Sequence, residues 1–131
     1  MKVRWKLLLA ALGIAGMSVT MPVHSAEVDT PAITSPTSGT VVSTKKLVIT
    51  ASAYAGAVKQ VSSQWQLDTV DTFDSQRLVT KSEKSHFATY NPPTLSPGTW
   101  YVRVRYKNAN GAYSAYSQMV PFIVPERKSG Y

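Results

Sequence analysis

The 131-residue chain contains no cysteine. That excludes a disulfide staple, a thiolate nucleophile and a cysteine-based zinc site, so the fold must be held by its apolar core and backbone ladder. Carboxylates are scarce too, with 7 Asp and Glu against 14 Lys and Arg. Glycoside hydrolysis needs two placed carboxyl groups, and Glu83 is the only glutamate between residues 28 and 125. His86 is the only histidine beyond residue 24, and a lone His builds no His-cluster metal site. There is no Gly-x-Ser-x-Gly elbow and no glycine-rich phosphate loop. Beyond the first residues, no segment has apolar positions at helical spacing and none is long enough to span a bilayer. These gaps argue against an enzyme and against a bound cofactor.

What is present begins with a leader. Lys2, Arg4 and Lys6 precede an apolar run from Leu7 to Met17, and a polar stretch to Ser25 follows. The pattern is that of a secretory signal peptide over 1–26, cut after Ser25 or Ala26. Its removal takes away three basic residues and no acidic one, lowering the formal charge from +7 to +4. A charge of +4 is ordinary, so nucleic-acid binding is not expected. No membrane insertion is expected after cleavage, and the product is expected to be periplasmic or secreted.

The rest alternates with period two. Segment 46–54 sets Leu47, Ile49, Ala51 and Ala53 on one face, and 61–69 does the same with Val61, Ser63, Trp65 and Leu67. Segments 76–81 and 85–91 read as short strands. "TWYVRVRYK" (99–107) is the strongest, with Trp100, Val102, Val104 and Tyr106 inward and Tyr101, Arg103 and Arg105 outward. "NANG" (108–111) is a hairpin turn, because Asn-Gly tolerates positive φ. "YSAYS" and "MVPFIV" (119–124) form the last strand. Pro31, Pro36 and Gly39 suit an edge entry strand broken by proline. Short strands at regular spacing predict an antiparallel, immunoglobulin-like β-sandwich over 27–124, of about seven strands, with a polar tail at 125–131.

The segment "LSPGTWYVRVRYKNANGAYSAYSQMVPFIV" (95–124) resembles the E–F loop, F strand and G strand of fibronectin type III domains. "PAITSPTSGT" (31–40) is similar to the family's A strand and A–B turn. "LVITASAY" (47–54) resembles its B strand, and "SSQWQLDTVDTF" (62–73) its C strand with a buried tryptophan. The resemblance covers essentially all of the chain after the leader and looks closest to single modules of bacterial secreted glycosidases and phage proteins. It implies a fold and leaves the task open. Trp100 falls where the family places its corner tyrosine. A one-residue register shift would give Tyr101 that role but would bury Arg103 and Arg105. Two unpaired buried guanidiniums cost several kcal/mol, more than a corner hydrogen bond of about 1 kcal/mol, so Trp100 stays inward.

Arg103 and Arg105 share a face with Tyr101, and Tyr113 and Tyr116 follow after the hairpin. The set is similar to the WSxWS box of cytokine-receptor fibronectin modules, in which rings interleave with arginines. It reads first as a ladder that stiffens the sheet and second as a candidate binding face. Asp68, Asp71 and Asp74 could offer oxygen ligands to calcium, but EF-hand spacing and its turn glycine are absent; a solvated loop with Asx turns is the plainer reading. No metal is therefore expected. Tyr54, Phe73, Phe87 and Tyr90 could form a sugar-stacking platform or serve as core and rim. The function expected is an exported, non-enzymatic module that binds another protein at or outside the bacterial envelope. The alternative is a carbohydrate-binding module for cell-wall or extracellular polysaccharide.

Overall fold

The computed structural model describes residues 28–43 and 46–126; the leader and most of the C-terminal tail lie outside the described residues. Eight strands follow one another: β1 (Ile33–Ser35), β2 (Thr40–Val41), β3 (Ile49–Ala51), β4 (Gln60–Asp68), β5 (Val79–Glu83), β6 (Thr89–Tyr90), β7 (Gly98–Asn108) and β8 (Val120–Val124). They form a three-stranded sheet, β1-β3-β6, and a five-stranded sheet, β2-β8-β7-β4-β5. This is the expected β-sandwich, with eight strands in place of about seven. Among the described residues no helix is long and apolar enough to cross a membrane.

The extra strand arises because the entry segment is split between sheets. β1 pairs antiparallel with β3; the chain then turns through Pro36 and Gly39, and β2 pairs with β8. That last pairing is parallel, so the sandwich is not antiparallel throughout. Gly39 has φ +80°, a left-handed conformation that only glycine adopts at little cost, and its N–H donates to the Pro121 carbonyl at 2.8 Å.

The core lies between the sheets. Ile49, Trp65, Leu67, Val102, Val104 and Phe122 are wholly buried. Trp65 on β4 stacks on Tyr90 of β6, with ring centroids 5.6 Å apart and planes 28° apart. Its indole N–H donates to Ser63 Oγ at 3.1 Å. Tyr106 on β7 reaches across to the other sheet, where its hydroxyl donates to the Ser52 carbonyl at 2.5 Å. Burial pushes that phenol up to about 12.

Two residues expected to face inward, and the bounds of two strands, are corrected. β3 ends at Ala51, so Ala53 lies beyond the ladder and is exposed. Val61 is also exposed, because a bulge between Gln60 and Ser62 inserts one extra residue against β7. Gln60 is buried in its place, and the alternation resumes at Ser63. The expected strands at 76–81 and 85–91 shift or shorten to β5 and β6.

The corner at the start of β7 is closed by Trp100. Its indole N–H donates to the Ser96 carbonyl, four residues upstream, at 2.8 Å. The upstream backbone partner is the one a corner tyrosine would take.

Candidate functional site

The expected face forms on the outside of the five-stranded sheet, and it is longer than the sequence suggested. Its spine is β7, where residues 103, 105 and 107 alternate with the buried Val102, Val104 and Tyr106. Arg103 Cζ lies 4.2 Å from the Phe73 ring centroid and 4.0 Å from that of Tyr116. Arg105 Cζ lies 4.7 Å from Tyr116 and 3.8 Å from Tyr113. Lys107 Nζ lies 5.3 Å from Tyr113. Rings and cations therefore alternate in one file: Phe73, Arg103, Tyr116, Arg105, Tyr113, Lys107. Each contact contributes about 0.5–1 kcal/mol at an exposed site.

The neighbouring strand fixes the cations. In the β4–β7 register Gln66 stands opposite Arg103 and Gln64 opposite Arg105. Gln66 Oε1 accepts from Arg103 Nε at 2.9 Å and Nη2 at 2.6 Å. Gln64 Oε1 accepts from Arg105 Nε at 2.7 Å and from the Tyr116 hydroxyl at 2.9 Å. The two glutamines thus hold the guanidinium planes in position for stacking.

The segment carrying the two tyrosines is not a strand, contrary to expectation. Tyr113 makes an isolated bridge to Lys107, and no strand resumes until β8. Ser114 and Ser117 substitute for the missing strand. The Ser114 N–H donates to the Tyr106 carbonyl at 2.8 Å, and its hydroxyl accepts the Tyr106 N–H at 2.9 Å. Ser117 does the same with the Val104 carbonyl, at 2.8 Å, and the Val104 N–H, at 3.1 Å. The backbone groups of β7 are satisfied while the segment advances three residues for every two of β7. A regular strand would turn Tyr113 and Tyr116, three apart, to opposite faces. The three-for-two repeat brings both rings to one face, in step with cations two apart.

The hairpin before it is built on Asn108, whose Oδ1 accepts the Asn110 N–H at 2.9 Å and the Ala112 N–H at 3.1 Å. Gly111 carries the turn's positive φ of +86°.

The far end of the file rests on the loop between β4 and β5. Asp68 is buried and accepts from the Thr69 N–H at 2.7 Å, from the Ser75 N–H at 2.8 Å and from the Ser75 hydroxyl. Burial alone would raise its carboxyl; the bonds from Ser75 and Thr69 outweigh that and hold its pKa below the ordinary 3.8. The loop so closed puts Phe73, at φ +56°, under Arg103. That conformation costs a non-glycine residue about 1–2 kcal/mol.

Of the expected site residues, Arg103, Arg105, Tyr113 and Tyr116 come together. Tyr101 is on the same face but half-buried between Asp68 and Pro121, and it makes no ring contact among the described residues. Asp68, Asp71 and Asp74 do not converge: Asp68 closes the loop, Asp71 is exposed, and Asp74 accepts the Thr72 hydroxyl at 2.6 Å. Among the described residues no group of three His, Cys, Asp or Glu could hold a metal ion. Tyr90 belongs to the core and Tyr54 packs against it, Phe73 is buried under Arg103 on the outer face, and Phe87 is half-buried. Sequence reading missed Gln64, Gln66 and Lys107, which the alternation of β4 and β7 could have supplied. It missed Ser114 and Ser117, whose spacing of three matches that of the tyrosines. Phe73 left no periodic signal.

No protein-family model matches the chain, and no curated protein does. Solved structures do. A fibronectin(III)-like module of CbhA from Clostridium thermocellum is 18% identical, with 75% of this chain and 99% of that one covered at a TM-score of 0.56. A myokine structure is 13% identical, with 77% and 98% covered at a TM-score of 0.54. At such identities the likeness concerns the fold: the chain carries a fibronectin type III-like β-sandwich.

Proposed function

We propose that the protein is an exported, non-enzymatic module that binds another protein at or outside the bacterial envelope. Its contact face is the outer side of the five-stranded sheet, around Arg103, Arg105, Tyr113 and Tyr116, with Tyr101 beside them. One observation carries this reading: the face holds aromatic rings and arginines already fixed in place. Tyrosine and arginine are the residues enriched at protein interfaces. Their stacking and the two glutamines restrain the side chains before any partner arrives, which lowers the entropy cost of association. Tyr113 nevertheless remains 43% exposed. The buried carboxylate of Asp68, the kind of group acid–base chemistry would use, is committed to closing its loop.

A carbohydrate-binding role is less well supported. Guanidiniums already lie over the rings of Tyr113 and Tyr116, the surfaces on which a sugar would stack. The test is a crosslinking pulldown from envelope extract, run beside binding to peptidoglycan and insoluble glycan. A reproducible protein partner lost on Tyr113→Ala supports the proposal. Glycan binding with no protein partner refutes it.

A further inference from the structure

Among the described residues the cations of the file have no acid of their own. Among the described residues Arg103, Arg105 and Lys107 form no ion pair; the partners of the arginines are neutral glutamines and rings. Stacking covers the flat faces of a guanidinium and leaves its N–H edge available, and each arginine has five N–H donors. Arg103 donates two bonds and Arg105 one. The three cations occupy alternate residues of one strand, so they repeat at about 6.8 Å.

The other end of the same face is apolar. Val41 of β2 is 60% exposed and stands beside Ile123 of β8, which is 37% exposed. Ile123 in turn pairs with Thr99 of β7, and Pro121 with Tyr101. The outer surface therefore runs from Ile123 and Val41, on the two strands beside the start of β7, past Tyr101, to Arg103, Arg105 and Lys107 along β7.

We propose that this strip binds an extended acidic peptide of the partner, laid along β7. Its carboxylates, at alternate residues, meet Arg103, Arg105 and Lys107, and its apolar end covers Val41 and Ile123. The proposal rests on the protein-binding reading above and specifies the partner's chemistry. An extended peptide repeats its alternate side chains at the same 6.8 Å or so as the cations. This match favours a peptide over an acidic polysaccharide. The gradient from apolar to cationic fixes the direction in which the peptide lies.

The test is fluorescence anisotropy of the purified protein with a labelled synthetic peptide of about nine residues, the length that spans the strip. Its first half carries two valines and its second half three glutamates at alternate positions, with threonine between. The control has the same composition with the glutamates contiguous, and polygalacturonate is the competitor. The alternating peptide should bind at least about tenfold more tightly than the control, and more weakly as salt rises. Lys107→Glu, at the rim of the file, and Arg105→Gln should each weaken it by about two- to fivefold or more. Circular dichroism of both variants separates loss of binding from loss of fold, and Lys107→Glu stands as the test if Arg105→Gln does not fold. Equal binding of the two peptides, tighter binding of polygalacturonate, or indifference to Lys107→Glu overturns the proposal. An envelope partner retained equally by Lys107→Glu also overturns it while leaving the protein-binding reading intact.

Discussion

Replacing Tyr116 by alanine tests whether the outer face stabilises the sandwich. Tyr116 is the middle rung, lying 4.0 Å from Arg103 and 4.7 Å from Arg105, with its hydroxyl donating to Gln64. Two cation–π contacts contribute about 1–2 kcal/mol together. The hydroxyl bond adds about 0.5–1.5 kcal/mol, nearer the low end because Arg105 still occupies Gln64 Oε1. Tyr116→Ala should therefore cost about 2–3 kcal/mol. For a domain of this size that lowers Tm by roughly 10–20 °C. Urea unfolding followed by tryptophan fluorescence is a suitable assay, because Trp65 and Trp100 are both buried reporters. Tyr116→Phe keeps the ring between the guanidiniums and should lose only about 1 kcal/mol. A double-mutant cycle with Arg103→Gln should return a coupling of about 0.5–1 kcal/mol. A Tyr116→Ala protein within about 0.5 kcal/mol of the parent, the range of ordinary surface substitutions, refutes the reasoning. If such a protein also lost its partner, the face would be a contact surface and not a brace.

Ser117→Ala removes the acceptor of the buried Val104 N–H and should cost about 1–3 kcal/mol, measured by the same unfolding; a neutral result would mean the serine does not substitute for a strand. Tyr106 has its pKa raised to about 12, so it contributes stability fully below pH 10, the ordinary value, and loses it as pH rises towards 12. The loss amounts to about 2–3 kcal/mol over that window, and Tyr106→Phe should reduce the alkaline slope of a stability–pH profile by that amount, leaving the part contributed by Tyr90, whose phenol burial also raises. Asp68 has a lowered pKa, so its contribution is present above pH 3.8 and lost as pH falls below it; Asp68→Asn should flatten the acid limb of that profile. The same variant should loosen the loop that holds Phe73 under Arg103, read as faster amide hydrogen exchange at residues 69–75.

The sandwich was legible in the sequence because burial on one face leaves a period of two, and Trp65, Leu67, Val102 and Val104 all carry it. The pattern misled where the backbone breaks step. At Val61 the bulge adds a residue, and no side-chain property of Val61 marks it. The loop between β4 and β5 was opaque for another reason. Its shape is set by Asp68 reaching forward to Ser75, and by a phenylalanine in a conformation its side chain disfavours. Neither leaves a periodic trace.

Tyr113 and Tyr116 show how a correct grouping can rest on an incorrect geometry. The sequence places both rings beside Arg103 and Arg105, but on a regular strand residues three apart point to opposite sides. The structure resolves the contradiction through Ser114 and Ser117. Each serine offers β7 a backbone N–H and a hydroxyl oxygen, one donor and one acceptor, so each does locally what a strand residue would do. Only every third residue of the segment need then face β7, and the residue before each serine is carried to the outer face. With Tyr113 bridged to Lys107, three residues forward correspond to two back, which sets Tyr116 beside Arg105. The Tyr-Ser pair is thus one unit: the serine sets the step, and the step delivers the ring to the gap between two cations. By this logic the step matters as much as the rings, and replacing Ser114 and Ser117 together by alanine, which removes no rung, should break the file as thoroughly as loss of Tyr116, read by the same urea unfolding.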